Sequence, residues 1–209
     1  MNAPNRLTLI RILIIPAIIL FCIYDFFPAD DGYANWIGRI IVFGLFAVAA
    51  VTDFLDGYIA RKHNLVTDFG KFMDPLADKF LVLGCLFSIC FSDFILVPNT
   101  YDVETAVPSP VLRVLFFWAS VIVLFRELAV TSMRLVVAKR GVVVPANMLG
   151  KIKTNAQMLC IIVSILEPIA LPVTGGWVTV FFIAGMSVFT IWSGISYIVS
   201  YWKYLDMSI

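Results

Sequence analysis

Apolar residues fall in six long runs, at about 9–27, 37–60, 76–97, 112–137, 149–171 and 177–201. Each is close to the roughly 20 residues that a helix needs to cross a bilayer. Polar residues gather in the short connections between the runs. The pattern predicts an all-α polytopic membrane protein with six transmembrane helices. The last run is the cleanest, with no charge from Trp177 to Trp202, and it starts after the break Gly175-Gly176. The third and fifth carry charges in their first turns (Asp78, Lys79; Lys151, Lys153) and have span length if those ends lie at the interface. Trp36, Trp118, Trp177, Tyr201 and Trp202 fall near predicted ends, where interfacial aromatics belong. Gly44, Ala47 and Ala50 on the second run would allow close packing within the chain. No pattern recurs at solenoid spacing. Arg6 and Arg11 precede the first run as in a signal peptide, but no small-x-small site follows, so it reads as a retained span.

Composition narrows the picture. Of 209 residues, 61% are hydrophobic and 14% charged, and the mean hydropathy is +0.97. A disordered, collagenous or nucleic-acid-binding chain is excluded, and a water-soluble globule does not fit. Residues 1–209 read as one integral-membrane domain, because six spans leave no room for a separate soluble one. Cys22, Cys85, Cys90 and Cys160 lie in apolar runs without zinc-type spacing, and read as small hydrophobes rather than disulfide or redox groups.

The net charge of +1 conceals an uneven distribution. With a cytoplasmic N-terminus, thirteen of the 15 Lys and Arg fall on the cytoplasmic half, and only Arg39 and Arg113 on the other. That is a strong positive-inside bias, and an even number of spans returns the C-terminus to the cytoplasm. Seven acids, Asp25, Asp30, Asp31, Asp93, Asp102, Glu104 and Glu167, fall on the outer side and read as plain solvated loops.

Four of the remaining acids carry the candidate chemistry. Asp53 and Asp56 end the second run, and Asp74 and Asp78 begin the third. Spacings of three and four put each pair on one helix face. The runs are consecutive and joined by a short connection, so the four carboxylates can converge near the cytoplasmic interface. Such a cluster needs protonation, basic partners or a bound cation. Hard oxygen ligands in this number suit Mg²⁺, Mn²⁺ or Ca²⁺. Two divalent ions nearly balance four carboxylates, an arrangement used for displacement at phosphorus. The competing reading is a solvated charge run paired with Arg61, Lys62, Lys71 and Lys79. Gly57 and Ala60 would let a ligand approach the helix face, Arg61 offers a planar fork for phosphate, and Gly70 frees the connection to turn. Pro75 follows Asp74 either as the first residue of a helix capped by Asp74 or as a kink in a helix that starts earlier.

The run Asp53-x-x-Asp56-Gly57-x-x-Ala60-Arg61-x8-Gly70-x3-Asp74-x3-Asp78 resembles the signature of the CDP-alcohol phosphatidyltransferase family at all eight positions. The resemblance implies a six-helix membrane enzyme, usually a homodimer, with a dinuclear Mg²⁺ (or Mn²⁺) site facing the cytoplasm. It implies displacement of CMP from a CDP-linked lipid by an alcohol. By position, Asp53, Asp56, Asp74 and Asp78 correspond to metal ligands, with Asp78 also the general base. Asn5, Thr8, Gly57, Ala60, Arg61 and Thr67 correspond to contacts of the CDP-diacylglycerol donor.

The acceptor must be sought elsewhere. Arg126-Glu127, Arg134, Lys139-Arg140, Lys151 and Lys153 form a second basic cluster on the same side. Pairing of Arg126 with Glu127 and anchoring of the loop would account for part of it. Arg126, Arg134, Lys151 and Lys153 equally suit binding of an acceptor phosphate. The stretches 4–11, 67–79 and 144–154 resemble a bacterial branch of the family that uses sn-glycerol 3-phosphate, which implies the inner membrane. Inositol phosphate, serine and phosphatidylglycerol are acceptors elsewhere in the family. His63 reads as a solvated loop residue and Asp68 as structural. A cation transporter is a different functional class, but it would need carboxylates near mid-membrane on several helices.

Overall fold

The computed structural model describes residues 3–27, 36–62, 67–92, 94–96, 106–139 and 148–202. Six α-helices follow in order: α1 (Ala3–Ile23), α2 (Trp36–Lys62), α3 (Asp68–Phe91), α4 (Ser109–Lys139), α5 (Met148–Ala170) and α6 (Trp177–Tyr201), with a short 3₁₀ turn, Pro172–Thr174, before the last. Among the described residues the protein is all-helical. α1 packs on α2 and α3, α6 packs on α4 and α5, and α3–α4 and α2–α5 contacts join the two groups.

Five helices are long and apolar enough to cross a membrane, namely α1, α2, α4, α5 and α6. The acids and bases in its first half keep α3 out of that set, although its 24 residues span roughly 36 Å. Each helix buries one stripe at three- and four-residue spacing: Ile15, Ile18 and Cys22 on α1; Val42, Phe46 and Ala49 on α2; Cys85 and Ile89 on α3; Phe116, Ala119 and Val123 on α4. Leu13, Phe125, Leu128, Phe181 and Val199 project outward. Apolar surfaces face both ways, so burial of oil cannot select the interior as it does in water. Polar side chains mark it instead: Arg11, Arg39, Ser120, Gln157, Ser164, Glu167 and Ser193 are all buried. Ser120 and Ser164 satisfy their hydroxyls on the carbonyls of Phe116 and Cys160, at 2.8 and 2.7 Å. All four cysteines are buried, as small core hydrophobes are.

Several expectations change. α1 starts at Ala3 and α3 at Asp68, each earlier than the apolar runs. Thr67 caps α3, accepting from the Gly70 amide at 3.1 Å, so Pro75 lies inside the helix and Asp74 is not its cap. Gly70 does not provide a turn. It sits in the first turn of α3, where a Cβ would come 3.3 Å from the Asn5 and Thr67 side-chain oxygens, so its role is close approach. Gly44 is exposed, and a Cβ there would meet nothing within 4 Å. The close contact falls on α3 instead, where a Cβ on Gly84 would lie 3.1 Å from Ile19. Trp118 is not at a helix end, because α4 begins nine residues earlier.

Glu167 is not a loop charge. Arg39 is fully buried and donates to the Phe94 carbonyl. Glu167 is 3% exposed near the end of α5. Gly175 and Gly176 take positive φ, and Gly176 offers no side chain to cap α6. Glu167 meets that need by accepting from the amides of Val178 and Thr179 (3.1 and 2.6 Å) and from the Thr174 hydroxyl (2.6 Å). A carboxylate at a helix N-terminus is also favoured by the helix dipole. Glu167→Leu is expected to remove about 2–3 kcal/mol of stability, because buried donors lose their acceptor. Thermal unfolding in detergent measures it, and a change below ~0.5 kcal/mol would deny the capping role.

Candidate functional site

The polar site grows from the interior stripe of α1. Asn5, Thr8 and Arg11 precede Ile15 and Ile18 at helical spacing and are 8%, 1% and 0% exposed. Their partners lie on α2 and α3. The Thr67 hydroxyl donates to Asn5 Oδ1 at 3.0 Å, and the Thr8 hydroxyl donates to Asp74 Oδ1 at 2.8 Å. One Arg11 nitrogen lies 2.6 Å from Asp53 Oδ1 and 3.1 Å from Asp78 Oδ1. The second half of α2 and the first half of α3 are therefore both tied to α1, Asp53 and Asp78 through Arg11 and Asp74 through Thr8. Asp53 and Asp78 stay one-third and one-half exposed, open to a ligand. The side chains of Asp56, Gly57, Ala60 and Arg61 lie outside the described residues, as do those of Asp68, Lys71 and Lys139, and His63 and Arg140 entirely.

Among the described residues no three carboxylates close on a single point, and Arg11 bridges Asp53 and Asp78. The donor set still fits hard divalent cations: carboxylate oxygens from two helices, partly solvated, with the Thr8 hydroxyl orienting Asp74. Lys79 does not pair with these acids through any described bond; it donates to the Thr131 hydroxyl at 2.6 Å.

Two cavities adjoin the cluster. The first, of about 200 Å³, contains Asp53 and Asp78 and is closed by α5 through Lys153, Thr154 and Gln157. The second, of about 620 Å³, is lined by Lys79, Arg126, Arg134, Lys151 and Lys153. Glu127 is the single carboxylate among its described lining residues. Pro75, Lys79, Glu127, Lys153 and Thr154 belong to both walls. A carboxylate chamber thus opens beside a strongly basic one.

All four basic candidates, Arg126, Arg134, Lys151 and Lys153, share that second chamber. The expected pairing of Arg126 with Glu127 is present at 2.9 Å, and Lys153 donates to the same Glu127 oxygen. Arg126 also donates to the Ser193 hydroxyl at 2.6 Å. Tyr197 organises both arginines: their guanidinium carbons lie 5.5 Å (Arg126) and 5.2 Å (Arg134) from its ring centre, and Arg134 donates to its hydroxyl at 2.8 Å. Cation–π contact fixes the two forks without consuming most of their N–H groups.

Sequence reasoning missed Arg11, Thr131, Gln157, Ser193 and Tyr197 as parts of this region. Arg11 was legible in principle, because it continues the spacing of Asn5 and Thr8 on one face of α1. Ser193 and Tyr197 follow Thr190 at three- and four-residue spacing on α6, a weaker signal because that helix carries no charge.

Known proteins resemble the chain over most of its length. The model of the family described as CDP-alcohol phosphatidyltransferase matches residues 1–192. A Bacillus subtilis protein named CDP-diacylglycerol--glycerol-3-phosphate 3-phosphatidyltransferase is 39% identical, covering 99% of this chain and 98% of that protein. A Pseudomonas fluorescens protein of the same name is 30% identical over 98% of this chain and 92% of its own length. A Mycobacterium tuberculosis protein named probable phosphatidylglycerophosphate synthase is 32% identical over 94% and 80%.

Proposed function

This chain belongs to the CDP-alcohol phosphatidyltransferase family, and we propose that it transfers the phosphatidyl group of CDP-diacylglycerol to sn-glycerol 3-phosphate. The products are phosphatidylglycerol phosphate and CMP, and the step belongs to phospholipid biosynthesis. The observation that carries this reading is the common wall between the carboxylate cavity and the basic cavity. An acceptor with a hydroxyl at one end and a phosphate at the other matches that pair of chambers. The names of relatives that cover nearly the whole chain support the same acceptor.

Asp53, Asp56, Asp74 and Asp78 would hold two divalent ions, Mg²⁺ or Mn²⁺. Bound ions supply charge stabilisation at the pyrophosphate oxygens. Asp78 accepts the proton of the acceptor hydroxyl. The acceptor oxygen bonds to the phosphorus that bears the diacylglycerol, and the bond from that phosphorus to CMP breaks. Asn5, Thr8, Gly57, Ala60, Arg61 and Thr67 contact the donor nucleotide. Arg126, Arg134, Lys151 and Lys153 bind the acceptor phosphate.

The donor's acyl chains stay in the bilayer, which explains why so apolar a chain performs a polar reaction. Residues 1–209 form one integral-membrane domain. α3 supplies the sixth span, its charged first half at the interface. The thirteen-to-two distribution of basic residues supports cytoplasmic termini and a cytoplasmic site in a bacterial inner membrane. A terminal reporter found on the outer side would overturn that orientation. The protein is a homodimer in this reading, and a native mass of one chain would refute it.

The test is release of CMP by the purified protein from CDP-diacylglycerol and Mg²⁺ with glycerol 3-phosphate, inositol phosphate or serine supplied separately. Release is expected with glycerol 3-phosphate. Release with serine alone would remove the acceptor assignment.

A further inference from the structure

One buried polar residue of the carboxylate cavity has no part in the reaction described so far. Gln157 lines that cavity from α5. It is 1% exposed, and its Nε2 has no hydrogen-bond partner among the described residues. A buried amide donor left unpaired costs about 1–3 kcal/mol. The other polar groups of this wall are charged or, like Thr154, hydroxylic. Thr154 spends its hydroxyl proton on the Gly150 carbonyl at 3.1 Å, so Gln157 stands out as the neutral group of this wall whose donor is unused.

Its position matters as much as its chemistry. Gln157 follows Lys153 by four residues and lies on the same face of α5. Lys153 lines both cavities, while Asp78 shares the smaller one with Gln157. A three-carbon acceptor held by its phosphate at Lys153 and by its primary hydroxyl at Asp78 brings its middle carbon between them. That carbon carries the second hydroxyl of glycerol 3-phosphate.

We propose that Gln157 binds the non-reacting hydroxyl of the acceptor and so sets its specificity. The proposal rests on the acceptor reading above. The buried amide N–H donates to the oxygen of that hydroxyl. An acceptor without this hydroxyl leaves the amide unpaired, and sites built to bond a hydroxyl discriminate strongly against analogues that lack it.

The probe is 3-hydroxypropyl phosphate, which keeps the primary hydroxyl and the phosphate but lacks the middle hydroxyl. CMP release from CDP-diacylglycerol is measured with each acceptor. The wild-type protein is expected to favour glycerol 3-phosphate by at least ~10-fold in kcat/KM. Gln157→Met, which keeps the cavity wall filled, is expected to lower kcat/KM for glycerol 3-phosphate by ~10-fold or more and to leave the analogue within about threefold. Equal losses with both acceptors would mean that Gln157 only fills space, and would overturn the proposal. If the variant does not assemble, the wild type still decides, because equal use of the two acceptors overturns it. No CMP with glycerol 3-phosphate, but release with serine, would remove the acceptor reading and the proposal together.

Discussion

Asp78→Asn is expected to leave a folded membrane protein and to lower CMP release by roughly 10³-fold or more. Asparagine has nearly the same shape and keeps an oxygen that can accept from Arg11, now 3.1 Å from Asp78 Oδ1. The side chain is half exposed, so the substitution buries no new polar group. What disappears is the negative charge and the basicity. General-base assistance alone contributes about 10²–10⁴-fold, and weaker divalent-ion binding adds to the loss. Thermal unfolding in detergent should move by less than ~1 kcal/mol equivalent. Turnover within tenfold of wild type would show that another group takes the proton.

Lys153→Met is the second large effect. Lys153 is 7% exposed and belongs to both cavity walls, where an acceptor must bridge phosphate and hydroxyl. Methionine preserves the apolar stem and deletes the charge. Hydrogen bonds to charged groups contribute about 1.5–3 kcal/mol, so kcat/KM for glycerol 3-phosphate should fall roughly 10- to 100-fold. The loss should appear mainly in KM for that acceptor, with KM for CDP-diacylglycerol nearly unchanged. Glu127 keeps Arg126 at 2.9 Å, which limits the structural damage. Parallel changes in both KM values would show that Lys153 holds the site together rather than binding the acceptor.

The helices were legible because long apolar runs admit few alternatives, and all six described helices contain most of their runs. The starts of α1 and α3 were not. Polar turns extend both helices, and a hydropathy pattern stops where polarity begins. Thr67 as a cap and Asn5, Thr8 and Arg11 as an interior stripe depend on which neighbour each turn meets. The spacing of Asp74 and Asp78 fixed their common face from local geometry alone. The same local geometry gives the face of Arg11 but not its partner, since Asp78 is 67 residues away on another helix. Orientation alone places Glu167 among the solvated outer acids. The unpaired amides of α6, which claim it, become visible only when α5 and α6 are brought side by side.

Arg11 also changes the electroneutrality of the proposed reaction centre. Four carboxylates and two divalent ions cancel, and a neutral centre would offer a pyrophosphate little long-range attraction. Arg11 stands between Asp53 and Asp78 and is fully buried. With it the cluster alone carries three negative charges, not four, which eases the repulsion that opposes folding before any ion binds. With the two proposed ions bound, the centre would hold one net positive charge as the anionic donor arrives. A single arginine in the first helix would thus let the proposed site tolerate its own acids when empty of ions and attract an anion when filled.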